Sequence, residues 1–203
     1  MRITKDPEER RNELMDAAEQ LFAEKGYEHT SASDIIRKVG VAQGTFYYYF
    51  DSRDDILNAV IDRFTVRYVS IVEGIVDDEG LDALEKFQRV LDEFLSMKNR
   101  KKQFSMYLNI EEKVFHHERF RSYIESSVSP QVLRIIEQGV REGTFEVEHP
   151  EETVELIVLI VDRLVTRVRK IENRKERTAK ASAAASLIER TLGAPKGSLH
   201  IRF

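Results

Sequence analysis

Apolar residues recur three or four positions apart along most of the chain, which is the spacing of one face of an α-helix. The first series runs from Leu14 to Phe22 and is followed by Gly26, a residue that favours a helix end. Later series lack the strict alternation of apolar and polar residues that is typical of a half-buried strand. The pattern predicts an all-α protein of about nine helices, over residues 8–25, 31–40, 43–49, 52–76, 81–95, 104–117, 120–143 (interrupted near Ser129-Pro130), 150–168 and 176–192, with a frayed tail after Gly193.

Residues 30–57 stand out because they predict two short helices joined by a tight turn. Ser31 can cap the first helix, and Asp34 three residues later gives a near capping box. Gly40 supplies the backbone freedom that a helix end needs. Only Val41 and Ala42 separate Gly40 from the next helix, so the two helices must cross steeply. This arrangement is a helix-turn-helix.

The second of these helices has an apolar face and a polar face. Phe46 and Phe50 are four residues apart and suit an inward face, which the three tyrosines between them cannot all share. Gln and Thr side chains can bind base edges in the major groove, whereas phenols, hydroxyls and guanidinium groups reach phosphates. A glycine lets the backbone approach a groove wall. We therefore predict DNA contacts from Gln43, Gly44, Thr45, Tyr47, Tyr48, Tyr49 and Arg53, with Tyr49 left open between packing and phosphate binding.

These features resemble the DNA-binding domain of the tetracycline-repressor (TetR) family of bacterial transcription regulators. The resemblance covers about residues 8–64 and includes Gly26-Tyr27, the run VAQGTFYYYF at 41–50, Ser52-Arg53 and Ile56-Leu57. It implies that the residues matching Gln43, Thr45 and Tyr48 face bases, while those matching Ser31, Tyr47, Tyr49 and Arg53 hold phosphates.

Two positions depart from the family pattern. Ala42 stands where the family usually has Ser or Thr, so the recognition helix lacks a side-chain N-cap worth about 1 kcal/mol. Arg53 stands where the family usually has Lys, which keeps the charge and changes the geometry of the contact.

The helix over 52–76 is long enough to connect two regions rigidly. We expect a DNA-binding domain over residues 1–52 and a helical effector-binding and dimerisation domain over 53–203. Residues 1–9 are expected to form a flexible arm. Arg2 and Lys5 in that arm either reach a minor groove or are simply disordered.

The helix that begins at Pro150 is apolar nearly all round, so it must be buried on two sides. Its own domain can cover one side, and a second copy of the chain the other. Small residues in the last helix permit close helix approach. The resemblance implies pairing through the last two helices as a four-helix bundle. The expected homodimer interface comprises Leu156, Ile160, Leu164, Val168, Ala184, Leu187 and Ile188.

The resemblance also implies a small-molecule effector among the C-terminal helices, and the many aromatic residues there suit a hydrophobic one. The polar residues near the apolar stripes are each either effector contacts or ordinary surface groups. These candidates are Tyr107, Glu111, His116, Tyr123 and Arg163.

Composition narrows the class of protein. Hydrophobic residues make up 41% of the chain and charged residues 33%, which is ordinary for a soluble, helix-rich protein. The sequence has no cysteine, and this excludes disulfides and thiolate chemistry. A charged N-terminus predicts no signal peptide, and the longest apolar run, 156–161, is too short to span a membrane. The net charge of −4 argues mildly against a nucleic-acid binder, so DNA affinity must depend on a few local bases such as Arg37 and Lys38.

Catalytic motifs are missing from the sequence: it has no glycine-rich phosphate loop, nucleophile elbow or HExxH pattern. His116 and His117 diverge by about 100° on a helix and do not suit one metal. We therefore expect no enzyme, no metal and no cofactor. The expected function is that of a cytoplasmic bacterial repressor, a homodimer released from a near-palindromic double-stranded DNA operator by a hydrophobic effector. The alternative is a DNA-binding dimer without such an effector, controlled by a protein partner or acting architecturally.

Overall fold

The computed structural model describes residues 6–96, 122, 124–168 and 171–202. These residues form eight α-helices and one π-helical turn and contain no strand, so the predicted all-α class is confirmed. The helix predicted over 104–117 lies outside them. The helices are α1 (Pro7–Lys25), α2 (Ala32–Val39), α3 (Gln43–Tyr49), α4 (Arg53–Val76), α5 (Ala83–Ser96), the π-helical turn (Ile124–Val128), α6 (Ser129–Glu142), α7 (Pro150–Val168) and α8 (Arg174–Leu192).

The chain divides into two compact units, and the boundary between them falls inside α4, between Val66 and Arg67. The described part of the first unit is residues 6–66, and the second unit contains the described residues from 67 onward. The functional boundary predicted after residue 52 stays a prediction.

The first unit is built on an apolar core from α1, α2, α3 and the start of α4. Asp6 caps α1 by accepting from the backbone N–H groups of Glu8 and Glu9. Gly26 ends that helix with φ +83°, a conformation that L side chains rarely adopt. The largest side chains that this unit buries completely are Leu14, Met15, Phe22, Ile35, Phe46, Phe50, Ile56, Leu57 and Ile61.

In the second unit, Lys86 joins three helices through a buried ammonium group. Its Nζ donates to the Val76 carbonyl at the end of α4 (2.7 Å) and to Gln138 Oε1 on α6 (2.9 Å). A cation is favoured at this position because the last carbonyls of a helix carry partial negative charge. On α6, Gly139 leaves room for the ring of Phe145, which also packs edge-on against Phe87.

The segment after Gly193 does not fray, so that prediction is wrong. Leu199 is buried, and its N–H donates to Glu189 Oε1 at 2.9 Å. Gln88 on α5 accepts from the N–H of His200 (2.8 Å) and donates to its carbonyl (2.9 Å). Ile201 packs against the buried cluster of Leu164, Val168 and Ala184. Tertiary contacts therefore hold residues 194–202 as a strap over α5, α7 and α8.

Burial disfavours the charged form of Glu189, but backbone N–H groups of residues 197–199 hold the pKa of its carboxyl below the usual value. The carboxylate is therefore the form that fastens the strap. None of the helices in the described ranges is long and apolar enough to cross a lipid bilayer.

Candidate nucleic-acid interface

The entry to α2 is a complete capping box. Ser31 Oγ accepts from the N–H of Asp34 (3.1 Å), and Asp34 Oδ2 accepts from the N–H of Ser31 (3.0 Å). The Ser31 hydroxyl also donates to Asp34 Oδ2 at 2.7 Å. These backbone and side-chain hydrogen bonds lower the pKa of Asp34. A phosphate contact by Ser31 therefore requires its hydroxyl to turn away from Asp34.

The turn between α2 and α3 has the geometry that the sequence predicts. Gly40 adopts the left-handed conformation (φ +75°, ψ +35°), and its N–H donates to the carbonyl of Ile36. Ala42 occupies the N-cap of α3 and makes no side-chain hydrogen bond there, as expected for alanine. The short helix α3 must therefore be held by tertiary packing.

That packing comes from two phenylalanines. Phe46 is completely buried and Phe50 nearly so, with their ring centroids 6.0 Å apart. Arg11 of α1 lies over the ring of Phe50, with Cζ 5.2 Å from the centroid. Because one side of α3 is fixed inward, the opposite side must face solvent.

The exposed side of α3 carries most of the predicted DNA-contact residues. Gln43 and Gly44 are exposed, and Thr45 is half-buried. Tyr48 is 77% exposed and Tyr47 is 47% exposed. We call the surface formed by Gln43, Gly44, Thr45, Tyr47 and Tyr48 the reading face.

Tyr49 lies beside this surface rather than on it. Its side chain is half-buried, and its ring meets the ring of Tyr48 edge-on with centroids 4.8 Å apart. The two roles considered for Tyr49 therefore both remain open.

Arg53 has a structural partner that sequence reasoning missed. Its Nη1 donates to the carbonyls of Tyr27 (3.2 Å) and Thr30 (3.0 Å), and its guanidinium lies 4.0 Å from the centre of the Tyr27 ring. The hydroxyl of Tyr27 in turn hydrogen-bonds Asp54. The first turn of α4 thus clamps the loop that leads to Ser31. Because guanidinium has five N–H donors, phosphate binding is compatible with these two bonds.

The basic residues near the reading face are few. Arg37 and Lys38 are exposed near the end of α2, and Arg37 lies 3.5 Å from Asp34. Lys25 lies 3.8 Å from the same carboxylate. Arg2 and Lys5 are outside the described residues.

The predicted effector-binding residues are largely outside the described part of the chain. Tyr107, Glu111, His116 and Tyr123 belong to the undescribed positions, and Arg163 is exposed on α7. Within the described ranges, no group of three His, Asp or Glu side chains is placed to hold a metal ion.

A groove of about 380 Å³ lies between α8 and the strap. Its lining mixes polar and apolar groups, including Ser182, Glu189, Lys196, Arg202 and Ile201. Arg163 is not part of this lining.

The predicted dimer-interface residues divide into two groups. Leu156 (55%) and Leu187 (42%) are exposed in the single chain, whereas Ile160 is half-buried. Leu159, which the sequence reasoning did not select, is also exposed. The other four are buried within the protomer: Leu164, Val168, Ala184 and Ile188.

Two family profiles match the chain. Residues 14–60 match the bacterial regulatory proteins of the tetR family, and residues 83–185 match the tetracyclin repressor-like C-terminal domain. The first match contains the whole reading face.

Curated relatives and solved structures are consistent with these matches. The transcriptional repressor KstR2 of Mycobacterium tuberculosis is 29% identical over 164 residues, which span 77% of this chain and 78% of that protein. The fatty acid metabolism regulator protein of Bacillus subtilis is 34% identical over 87 residues, 42% of this chain and 43% of that protein.

Two solved structures share the fold. The fatty acid degradation regulator FadR from Bacillus halodurans has a TM-score of 0.68 at 20% identity, over 98% of this chain and 100% of that chain. RolR in complex with resorcinol has a TM-score of 0.67 at 18% identity, over 93% of this chain and 89% of that chain.

Replacing Gly44 with alanine should change the stability of the protein and its affinity for DNA in opposite directions. A Cβ at this position meets nothing within 4 Å, so Gly44→Ala should raise the free energy of unfolding by about 0.5–1 kcal/mol through helix propensity. The same methyl group should lower duplex affinity at least about fivefold, because it stands between the backbone and the groove wall. Thermal unfolding and fluorescence anisotropy measure the two effects. Gly74→Ala on α4 is the control, and it should gain stability without losing DNA affinity. If both variants bind DNA equally well, Gly44 is not part of the interface.

Substitutions of Arg53 distinguish its clamp from phosphate binding. Arg53→Lys should lower the free energy of unfolding by about 1 kcal/mol, because it loses the stacking on Tyr27 and one carbonyl bond. It should keep the salt dependence of DNA binding. Arg53→Gln should reduce the slope of log K against log salt by about 0.9 per protomer. An unchanged slope in Arg53→Gln means that the residue serves the clamp alone.

Proposed function

Because the chain belongs to the TetR family of bacterial regulatory proteins, we propose that it is a homodimeric repressor released from a near-palindromic operator by a small hydrophobic molecule. It is a DNA-binding transcription regulator and not an enzyme. The observation that carries the proposal is the reading face, a polar and uncharged surface held outward by two buried phenylalanines.

We assign sequence reading to three residues of α3. Gln43 and Thr45 offer amide and hydroxyl groups to base edges, and the exposed Tyr48 reaches the same groove. Tyr47 on this face, together with Ser31, Tyr49 and Arg53, positions the domain on phosphates. The few basic groups nearby imply weak non-specific binding, because few phosphate charges are neutralised.

A second copy of the chain supplies the specificity that one short helix lacks. The seven residues of α3 contact too few bases, whereas a two-fold dimer presents two reading faces to half-sites roughly 34–36 Å apart. The exposed Leu156, Leu159 and Leu187 on α7 and α8 support pairing through these helices. Burying them against a two-fold copy removes apolar surface from water.

The effector acts by changing the separation of the two reading faces. We place DNA binding in residues 1–52 and effector binding with dimerisation in 53–203. Helix α4 contains residues of both compact units, so a ligand that favours one position of this helix can favour one separation. The resorcinol bound to RolR supports a small ring-bearing ligand for this chain. We place the protein in the cytoplasm, where it meets bacterial DNA.

Selection of bound fragments from random duplex DNA tests the central claim. The wild-type protein should yield a near-palindromic motif. Gln43→Ala should relax the preference at one base position in each half-site, with a loss of about 1–3 kcal/mol for the preferred base. Tyr47→Phe should instead weaken all sequences similarly, because a phosphate contact carries no sequence information. If the wild-type protein enriches no motif, the proposed function is rejected. If Gln43→Ala selects the same motif as the wild type, only the assignment of Gln43 to a base contact is rejected.

A charge on the exposed apolar surface of α7 tests the dimer. Leu156→Glu should raise the dimer dissociation constant at least about 100-fold, because the two-fold axis buries two carboxylates in an apolar contact. Sedimentation velocity should then show monomers, and operator binding should be lost. Val140→Glu is the matched control, since Val140 is an exposed apolar residue on α6. A dimeric Leu156→Glu protein with full operator affinity contradicts the interface.

A further inference from the structure

Hydrogen-bond donors and positive charges converge on one carboxylate at the start of α2, that of Asp34. Its Oδ2 accepts from the N–H (3.0 Å) and from the hydroxyl (2.7 Å) of Ser31. Its Oδ1 lies 3.8 Å from the ammonium of Lys25 and 3.5 Å from the guanidinium of Arg37. Backbone N–H groups, hydroxyls and cations are the groups with which proteins hold the phosphates of DNA. The Asp34 carboxylate therefore has the set of partners that a phosphate would take.

The partners of Asp34 remain open to another anion. The side chain of Lys25 is 48% exposed and that of Arg37 is 78% exposed, whereas that of Asp34 is 20% exposed. Ion pairs between exposed side chains are weak, so a phosphate can replace the carboxylate beside either cation. The hydrogen bonds from Ser31, and next the two cations, lower the pKa of Asp34. At neutral pH the group therefore competes with phosphates as an anion.

The competition matters because this part of the chain has little positive charge. Residues 1–50 contain seven basic and nine acidic side chains. Lys25 and Arg37 are two of the few cations near the reading face, and both lie beside the one carboxylate. In a duplex complex the phosphate contacts supply affinity that does not depend on sequence. A carboxylate that holds these cations thus reduces that affinity without contacting a base.

We propose that Asp34 is an intramolecular competitor of DNA phosphate, which limits sequence-independent affinity by holding Ser31, Lys25 and Arg37 in the free protein. The same residue also caps α2 by accepting from the N–H of Ser31. A carboxylate that only caps α2 supports DNA binding, because it stabilises the domain, whereas a competitor opposes DNA binding. The inference rests on the phosphate contact proposed for Ser31 and adds Lys25 and Arg37 to it.

Removal of the charge of Asp34 tests the two roles against each other. Asp34→Asn keeps the shape of the side chain, and Asp34→Gln introduces a residue that itself forms capping boxes, so it serves where the first variant does not fold. Either variant should have an equal or lower Tm, yet bind a duplex of random sequence at least about threefold more tightly in fluorescence anisotropy at physiological salt. The slope of log K against log salt should steepen by about 0.9 for each cation that is freed. The motif selected from random DNA should stay that of the wild type, because phosphates carry no sequence information.

Glu28→Gln is the matched control. Glu28 is an exposed residue of the loop before Ser31, so this variant makes the same change in charge close to the same surface. An exposed charge that holds no cation acts only through the screened field, so Glu28→Gln should change the affinity for the random duplex less than about twofold.

A double-mutant cycle shows whether Asp34 acts through the cations. Lys25→Gln and Arg37→Gln remove the cations one at a time, both in the wild type and in the Asp34 variant. Each loss of affinity for the random duplex should be at least about threefold larger without the carboxylate, because only then is the cation free for a phosphate.

Three results overturn the inference. Equal or weaker binding of the random duplex by the Asp34 variants means that the carboxylate only caps α2. An equal gain in Glu28→Gln, or losses for Lys25→Gln and Arg37→Gln that are the same in both backgrounds, means that Asp34 does not act by holding these cations. A changed motif means that Asp34 acts on base recognition. Each of these results leaves the DNA-binding function standing, whereas failure of the wild-type protein to select any motif rejects the proposed function independently of these measurements.

Discussion

The burial of Phe46 and Phe50 is the contact on which the reading face depends. A seven-residue helix without a side-chain N-cap has little stability of its own, so its position must come from tertiary packing. Two rings on one side of α3 supply that packing, and the guanidinium of Arg11 lies over the second ring. Because the inward side is fixed, the outward side is fixed too, and Gln43, Gly44 and Tyr48 must face solvent together.

Folding and recognition share side chains in this domain. Ser31 caps α2 through Asp34, and Arg53 clamps the loop just before it through the carbonyls of Tyr27 and Thr30. Both residues are also proposed phosphate contacts. Such double use keeps the contacts rigid, because side chains already held by the fold lose little further freedom on binding. It also means that stability and affinity must be measured separately for each variant.

Sequence reasoning succeeded where the determinants are local and failed where they are distant in the chain. The Ser31–Asp34 box, the left-handed Gly40 and the inward Phe46 follow from spacings of a few residues, and the structure has all three. The Arg53–Tyr27 clamp and the strap contact between Gln88 and His200 join residues that no periodicity connects. Helix α7 is apolar on most sides, so its pattern could not tell which leucines its own unit covers. The structure buries Leu164 and exposes Leu159.

Because the strap over α5, α7 and α8 lies late in the sequence, the two units can complete their folding at different times during synthesis. Synthesis runs from the N-terminus, and units of a protein fold as their residues become available. Residues 6–66 are all made long before Ile201, which packs against the apolar cluster around Leu164. A nascent chain therefore has the parts of its reading face in place while the helices proposed to pair still lack their cover. Chains cut short before Leu199 leave that cluster open to water, and exposed apolar surface of this kind promotes aggregation.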